Sequence, residues 1–272
     1  MSGIEGLRSH WGFSKMPFGK NLAPSMLFAG RSHGEAVARI GWCVAESAIA
    51  VVTGECGSGK TVAARAAVAG LEPSRHTVVY LGTPGVGLRG TYAAITSALG
   101  GTPRFHSASL IPQTQDLLGA ESAERGKTVT VVADEAHLLD ADTLEGLRCL
   151  SNAGMDAASP FCLLLLGQPA LRRRLRLGTF TALDQRVGLR YAMAGLDAGE
   201  CGRYIAHHVA LAGRPDTIFS DDAVALIHQV SRGLPRMVNN LAVQSLVAAF
   251  AAGKAIVDES AGRVAVAEVT AE

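Results

Sequence analysis

The sequence lacks a strong charge excess, because 25 Lys and Arg nearly balance 24 Asp and Glu and leave a net charge of +1. Any nucleic-acid surface must therefore be a local patch. The sequence also lacks an uninterrupted apolar stretch of the roughly 18 to 20 residues that a membrane helix needs. Its N-terminus lacks the basic-then-apolar pattern of a signal peptide. These absences predict a soluble, cytoplasmic protein that does not contact a membrane.

Cysteine is scarce and shows no functional spacing. The five cysteines are odd in number and widely separated, without a C-x-x-C pair or the Cys/His spacing that holds zinc. We therefore interpret them as reduced, structural thiols. A chain of 272 residues with 48% hydrophobic and 18% charged residues is expected to be globular, with room for one large or two smaller domains.

The most specific motif is a glycine-rich loop after a short apolar run. It matches G-x-x-x-x-G-K-[ST] with the residues Gly54, Glu55, Cys56, Gly57, Ser58, Gly59, Lys60 and Thr61. Glycines let backbone N–H groups converge on an anion, so we expect Lys60 to bridge the β- and γ-phosphates of ATP and Thr61 to offer its hydroxyl to Mg²⁺. The alternative is an ordinary glycine-rich turn. The strand pattern before the loop and the helix pattern after it favour a phosphate-binding loop.

A second motif ends a buried-strand pattern with two carboxylates. The apolar run Thr128–Ala133 is followed by Asp134 and Glu135, which is the Walker B arrangement. We expect Asp134 to orient the Mg²⁺ shell and Glu135 to polarise the water that attacks the γ-phosphate. An acidic start to the next helix is a compatible alternative. The pair indicates Mg²⁺-dependent ATP hydrolysis in addition to binding.

Apolar runs alternate with helical patterns over most of the chain. We predict five strands, at Ala48–Val52, His76–Leu81, Thr128–Ala133, Phe161–Leu166 and Val187–Ala192. The helical patterns around them are Arg31–Ser47, Thr61–Ala69, Gly90–Leu99, Gln113–Arg125, Asp142–Asn152 and Pro169–Leu177. This alternation predicts right-handed βαβ units and an α/β fold with a five-stranded parallel sheet that carries helices on both faces.

The pattern changes after Met193, where three helices with Asp or Ser starts and Gly ends follow one another, at Asp197–Ala212, Ser220–Ser231 and Pro235–Phe250. They predict a small, all-helical lid domain. We therefore divide the chain into an N-terminal segment (1–30) that packs across the nucleotide domain, the nucleotide-binding α/β domain (31–194), the helical domain (195–254) and a C-terminal tail (255–272).

Together these motifs resemble AAA+ ATPases, within them the ExeA-like and TnsC/TniB-like branch that includes ATPases encoded beside transposases. Besides the two Walker motifs, the resemblance rests on Trp11-Gly12-Phe13, Pro17-Phe18, His33-Gly34-Glu35-Ala36, Gly167-Gln168-Pro169, Asp184-Gln185-Arg186 and Ser231-Arg232-Gly233-Leu234-Pro235-Arg236. It covers nearly the whole chain and implies a P-loop NTPase fold with ATP and Mg²⁺ as cofactors.

The resemblance also implies roles for three further residues. Gln168 occupies the sensor-1 position, where many relatives carry Asn, and a plain loop glutamine is its alternative. Arg236 matches sensor 2, which contacts the γ-phosphate. Arg186 matches the arginine finger that one subunit of a homo-oligomer presents to its neighbour's ATP. Arg190 is the competing finger, and a surface ion pair is the alternative for either arginine.

Two stretches are candidates for DNA contacts. The loop after the second strand lines the central pore of DNA-encircling relatives, which implies roles for Thr83 and Arg89 and, after the next helix, for Arg104. The second stretch carries Arg172, Arg173, Arg174 and Arg176, although such a run is usually the solvated face of a helix. Contacts of this kind would be salt-sensitive and weakly sequence-specific.

Three functions follow from these observations. The first is a transposition regulator that assembles with ATP on double-stranded DNA, as a ring or a helical filament, and recruits or activates a transposase. The second is an ExeA-like secretion-assembly ATPase, although the full secretion proteins carry a membrane span and a periplasmic cell-wall-binding region that we do not find here. The third is an ATPase switch that binds only another protein.

Overall fold

The computed structural model describes residues 3–19, 22–152 and 159–270. The chain divides into two compact units. The first unit contains Met1–Ser32, Cys56–Gly59 and Ala194–Glu272, and the second contains His33–Glu55 and Lys60–Met193. We call them the helical unit and the nucleotide unit.

The strands are β1 (Ile49–Thr53), β2 (His76–Leu81), β3 (Thr128–Ala133), β4 (Phe161–Gly167) and β5 (Val187–Ala192). The helices up to β5 are α1 (Gly3–Trp11), α2 (Arg31–Ala45), α3 (Lys60–Ala69), α4 (Gly87–Ala98), α5 (Ser107–Ala123), α6 (Ala141–Leu150), α7 (Pro169–Leu175) and α8 (Thr181–Arg186). The helices after β5 are α9 (Ala198–Leu211), α10 (Asp221–Ser231), α11 (Pro235–Ala251) and α12 (Glu259–Thr270).

Within the described residues, the strands form one five-stranded sheet in the order β2-β3-β4-β1-β5. All of its pairings are parallel. Strands β1 and β4 are buried along their whole length, as expected of near-continuous apolar runs at the centre of a parallel sheet. The predicted α/β fold with a parallel five-stranded sheet is confirmed.

Two apolar clusters cover the two faces of the sheet. One cluster joins inward residues of the strands, such as Val131 and Leu163, to α4, α5, α6, α7 and α8. The other joins residues such as Val132 and Leu164 to α2 and α3. Because the strands are parallel, their carboxyl ends lie at one edge, and the connections that leave this edge can share a binding site.

Helices α9 to α12 share an apolar cluster in the helical unit. Local caps fix their starts: Asp197 and Glu200 form a capping box at α9, and the Ser220 hydroxyl accepts the Ala223 N–H at α10. Glu200 is buried, and its second oxygen accepts the Arg31 N–H at 2.6 Å.

No helix of the described residues is long and apolar enough to cross a membrane.

The N-terminal segment differs from expectation in its packing. Its buried side chains, Leu7, Trp11, Phe13 and Phe18, join the apolar cluster of the helical unit, whereas the sequence led us to expect contacts across the nucleotide domain. The indole N–H of Trp11 donates to the Leu246 carbonyl at 3.3 Å. These four large apolar side chains complete a core that small alanine-rich helices alone would leave incomplete.

A buried histidine lies where this segment meets α9. The ring of His208 stacks on Phe18, with centroids 5.1 Å apart, and tilts against Tyr204 at 4.5 Å. Burial lowers the pKa of His208 to about 4, because a low-dielectric surrounding disfavours the charged imidazolium. This histidine therefore contributes to the core as a neutral aromatic ring.

Candidate functional site

The glycine-rich loop connects β1 to α3, as the motif predicts. Gly57 and Gly59 have φ angles of +79° and +94°, a region that residues with a Cβ rarely adopt. A Cβ on Gly57 would also lie 2.7 Å from the Cβ of Arg236. The loop therefore needs glycine at these positions to hold its shape.

Lys60 and Ser58 provide the polar side chains of the loop. The buried ammonium group of Lys60 donates to the carbonyl oxygens of Gly54 at 2.9 Å and Glu55 at 3.0 Å. Ser58 is 4% exposed, and its hydroxyl has no hydrogen-bond partner among the described residues. A buried hydroxyl without a partner is costly in a folded protein. An acceptor such as a phosphate oxygen would satisfy it.

Asp134 is held by three donors. Its Oδ2 accepts the Thr61 hydroxyl at 2.8 Å and the Tyr80 hydroxyl at 2.9 Å, and its Oδ1 accepts the Glu135 N–H at 2.9 Å. The carboxylate is only 6% exposed. Partial burial first, and then the hydrogen bond to Asp134, raise the pKa of Tyr80 to about 12, so its hydroxyl stays protonated and continues to donate.

Glu135 is more accessible than its neighbour, since its side chain is 46% exposed. Its backbone is left-handed, with φ of +51°. The Glu135 carboxylate lies 3.4 Å from His137 Nδ1, and the same nitrogen lies 3.4 Å from the Gln168 backbone N–H, which is placed to donate to it. His137 therefore links the end of β3 to the end of β4, where Gln168 was expected.

Arg236 contacts the glycine-rich loop within the helical unit. Its backbone N–H donates to the Gly57 carbonyl, and its Nη1 donates to Cys56 Sγ, both at 3.3 Å. The residue lies in the first turn of α11, directly after Pro235. The structure thus places the predicted sensor-2 arginine against two residues of the predicted phosphate loop.

The two candidate finger arginines have different surroundings. Arg190 forms an ion pair with Asp184 at 2.9 Å. Arg186 donates from Nη1 to the Ser151 hydroxyl at 3.2 Å and points toward the Arg148 carbonyl at 3.5 Å, at the end of α6. Arg190 thus has the kind of surface ion pair that was one alternative for either arginine, and the choice of Arg186 or Arg190 as the finger stays a prediction.

The candidate DNA residues also separate by environment. Most of them are exposed: Thr83, Arg89, Arg104, Arg172, Arg173 and Arg176. Arg174 differs, because its guanidinium donates to the His137 and Leu139 carbonyls and lies 5.2 Å from the Phe180 ring centre. Arg174 therefore supports the loop after the Walker B strand, and only three arginines of this run face solvent.

Sequence reasoning missed Tyr80 and did not assign a role to His137. The alternating exposure of β2 turns Tyr80 away from the buried Val79, but its contact with Asp134 depends on the pairing of β2 with β3. A Cβ on Gly82 would lie 2.8 Å from the Tyr80 ring, so this glycine leaves room for the ring.

The parallel sheet, the glycine-rich loop and the Walker B carboxylates together define a P-loop ATPase fold of the AAA+ class. Residues 45–175 match the AAA domain family model. The chain is also similar to general secretion pathway protein A of Aeromonas hydrophila, with 32% identity over 247 residues, which is 89% of this chain and 45% of that protein. The chain thus spans less than half the length of this curated relative.

Solved structures with the same fold include ORC and Cdc6 proteins. The ORC2 protein of Aeropyrum pernix in its ADP form has a TM-score of 0.68 at 19% identity, covering 96% of this chain and 72% of that one. Cdc6p of Pyrobaculum aerophilum has a TM-score of 0.67 at 17% identity, covering 96% and 71%. The structure of Drosophila ORC bound to DNA has a TM-score of 0.65 at 16% identity, covering 99% of this chain and 66% of that one. At these identities the likeness concerns the fold.

The residues present fit a magnesium-bound nucleotide. The loop offers the unpartnered Ser58 hydroxyl and the Lys60 ammonium group for phosphate oxygens. The Thr61 hydroxyl and the Asp134 carboxylate, in contact at 2.8 Å, are hard oxygen donors that suit Mg²⁺ or its water shell. Each of these groups lies in a segment that directly follows a strand of the sheet, either β1 or β3.

Proposed function

We propose that the chain hydrolyses ATP in a Mg²⁺-dependent reaction. The observation that carries this proposal is the contact of Thr61 with Asp134, which joins the glycine-rich loop to the Walker B strand at 2.8 Å. When bound, Mg²⁺ would neutralise charge on the phosphate oxygens. Lys60 would exchange its loop carbonyls for phosphate oxygens, and Glu135 would accept the proton of the attacking water.

We further propose that the active form is a homo-oligomer with shared sites. Gln168 and Arg236 would sense the γ-phosphate from within the same chain, and Arg186 would reach the nucleotide of a neighbouring copy. An arginine placed in this way compensates the charge of the transition state. Each of these residues would contact the γ-phosphate. ATP would therefore favour assembly, and hydrolysis, which removes the γ-phosphate, would reverse it.

The partner that we propose is double-stranded DNA in the cytoplasm, and the role is regulation of transposition through a transposase. This is supported by the motifs shared with transposition-associated ATPases and by exposed arginines at positions 89, 104, 172, 173 and 176. Contacts between arginines and backbone phosphates carry no sequence information. Such a surface suits a protein that selects target DNA with little sequence preference.

Secretion assembly is the second candidate. It is favoured by the 32% identity to general secretion pathway protein A, which extends over 89% of this chain. That relative is more than twice as long as the matched region, since the match covers 45% of it. The two candidates share the ATPase chemistry and differ in the partner that the assembled state recruits.

The deciding experiment is sedimentation and electron microscopy of the protein with duplex DNA, in a slowly hydrolysed ATP analogue or in ADP, at two salt concentrations. Transposition regulation predicts rings or filaments on DNA with the analogue, which dissolve in ADP and weaken at high salt. The Lys60→Ala protein is the control, because it should not bind nucleotide. Nucleotide-dependent assembly that ignores DNA would instead support a protein-directed role.

Mixing two inactive variants tests the shared site. Arg186→Ala should lose hydrolysis while each copy still binds nucleotide, and Lys60→Ala should lose binding. A mixed assembly contains interfaces with one intact loop and one intact finger, so partial ATPase activity should return. Arg190→Ala mixed with Lys60→Ala in the same way tests the competing assignment, because recovery with Arg190→Ala and not with Arg186→Ala would make Arg190 the finger. Lack of recovery in the mixture would argue against Arg186 as the finger.

A further inference from the structure

An aromatic side chain stands exposed in the loop between α4 and α5. Phe105 is 77% exposed, the largest value among the large hydrophobic residues that the structure describes. A single exposed apolar residue is common on protein surfaces, so exposure alone indicates nothing. The arrangement around this ring is what distinguishes it.

Three contacts hold Phe105 in place. Arg89 donates from Nε to the Phe105 carbonyl at 2.9 Å, and its guanidinium carbon lies 5.1 Å from the ring centre. The His106 ring meets the Phe105 ring edge-on at 5.1 Å. These contacts restrict the ring while most of its surface stays in solvent. An ordered exposed aromatic loses little entropy when it binds a partner.

The loop itself is braced by one glutamine of α5. The Gln113 side chain accepts the Arg104 N–H at 3.0 Å and donates to the Thr102 carbonyl at 2.8 Å. These bonds fix the backbone immediately before Phe105. Arg104 is itself exposed, so two arginines flank the ring in a defined arrangement.

The surrounding sequence is free of negative charge. The chain contains 24 Asp and Glu, yet none occurs from Pro73 to Gln115. The same stretch carries Arg75, Arg89 and Arg104. The stretch therefore supplies arginines and no carboxylate of its own, and the carboxylate that the structure places beside it is Asp140, whose Oδ2 lies 3.8 Å from a Cβ built on Gly87 at the start of α4. This charge balance favours an anionic partner.

We propose that this loop is a DNA-contacting surface on which the Phe105 ring stacks against a base, while Arg89 and Arg104 contact the flanking phosphates. An aromatic ring next to cations matches the two chemistries of a nucleotide, which has a flat apolar base and a charged backbone. An acidic peptide would use the arginines but has no need of the ring. The proposal rests on DNA binding as proposed above.

Stacking has two consequences that phosphate contacts lack. A base inside a regular duplex must be unstacked before the ring can meet it, so DNA with unpaired bases should bind more tightly. Stacking also releases no counterions, whereas each lost phosphate contact lowers the salt dependence. Phe105 and Arg104 should therefore show different effects in the same titration.

The experiment is a DNA-binding titration with the ATP analogue at several salt concentrations, using a perfect duplex and a duplex with a three-nucleotide mismatched bubble. Phe105→Ala should weaken binding to the bubble about tenfold and leave the salt slope unchanged. Phe105→Tyr should retain the affinity. Arg104→Ala should weaken binding to both DNAs and lower the salt slope by about 1. Trp42→Ala, which removes another half-exposed aromatic residue, is the matched control and should change neither quantity.

The outcomes separate this inference from the function on which it rests. Wild-type protein that binds neither DNA would overturn both. Wild-type binding that is unchanged in Phe105→Ala would overturn the stacking surface alone, as would full affinity in Phe105→Leu, which keeps the apolar bulk without the aromatic face. Thermal unfolding of Phe105→Ala should match the wild type, because the ring is largely in solvent.

Discussion

Each unit contains a buried carboxylate, and the two can be compared: Asp134 belongs to the candidate site, and Glu200 caps helix α9. Asp134 and Glu200 are 6% and 7% exposed, and each has hydrogen-bond donors. Glu200 accepts two backbone N–H groups, from Arg31 and Asp197. Asp134 accepts one backbone N–H, from Glu135, and in addition two side-chain hydroxyls, from Thr61 and Tyr80. Hydroxyls can rotate toward a metal or its water, and backbone amides in a helix cap cannot. The side-chain donors, more than burial, distinguish the carboxylate proposed to hold Mg²⁺ from the carboxylate that caps a helix.

The largest expected effect concerns Glu135, the exposed carboxylate beside Asp134. Glu135→Gln keeps the side-chain length but removes the base, so ATP turnover should fall about 100-fold or more while nucleotide binding persists. The variant should also accumulate the ATP-bound assembly. Phosphate release and nucleotide binding measured on the same sample check this, and turnover near the wild-type rate would exclude Glu135 as the base.

A crossed pair of substitutions tests the comparison directly. Asp134→Asn should lower the apparent affinity for Mg²⁺ about 10- to 100-fold. Glu200→Gln should instead lower the free energy of unfolding by about 1 to 3 kcal/mol. The glutamine amide has one oxygen, and its NH₂ group cannot accept the second backbone N–H. Mg²⁺ titrations of ATPase activity and thermal melts of both proteins provide the data. Equal effects of both substitutions in both assays would remove the distinction.

Acid should destabilise the helical unit. The pKa of His208 is lowered to about 4 in the folded chain, against 6.5 unfolded, so the unfolded chain binds the proton more tightly. Stability should be intact above pH 6.5 and fall as the pH decreases toward 4, by about 2 kcal/mol at pH 5. Of the two tryptophans, Trp11 is buried in this unit and Trp42 lies in the nucleotide unit. Urea melts of Trp42→Phe protein, followed by Trp11 fluorescence, measure the effect, and His208→Phe should remove it.

The smallest effect is expected at Tyr80, whose loss leaves Asp134 with two of its donors. Tyr80→Phe should raise the Mg²⁺ concentration for half-maximal activity by less than tenfold, in keeping with one hydrogen bond. Tyr92→Phe is the control, because its hydroxyl donates to Gly146 at 2.9 Å and does not contact Asp134. An equal shift in both variants would show that the change is not specific to the carboxylate.

The sequence predicted the sheet well because buried strands carry a local signal. The bounds of β2, β3 and β5 agree with the prediction. Strands β2 and β3 are each bounded on both sides by a polar or glycine residue. The helix that was predicted at Gln113–Arg125 begins earlier, at Ser107, and Pro112 lies inside it. Helices α1, α8 and α12 were missed, since α1 and α8 are short and the alternating Ala, Val and Glu of α12 gave no clear period.

The phosphate-loop and Walker residues could be found because their chemistry depends on neighbours in sequence. Tyr80 reaches Asp134 only because β2 pairs with β3. Arg89 lies near the start of α4, and the Phe105 carbonyl that it contacts lies beyond the end of the same helix. Neither relation leaves a local pattern. The same holds for Arg174, because the other arginines of its run are exposed while its own guanidinium donates to the His137 carbonyl.

The left-handed backbone of Glu135, with φ of +51°, has an evolutionary consequence. A residue with a Cβ in this region costs about 1 to 2 kcal/mol relative to glycine. Selection for stability alone would therefore replace this glutamate with glycine or asparagine. A descendant that no longer turned over nucleotide would be expected to drift in that direction while keeping its fold. With Glu135 as the proposed base, the identity of this one residue across relatives would separate lineages that hydrolyse ATP from lineages that only bind it.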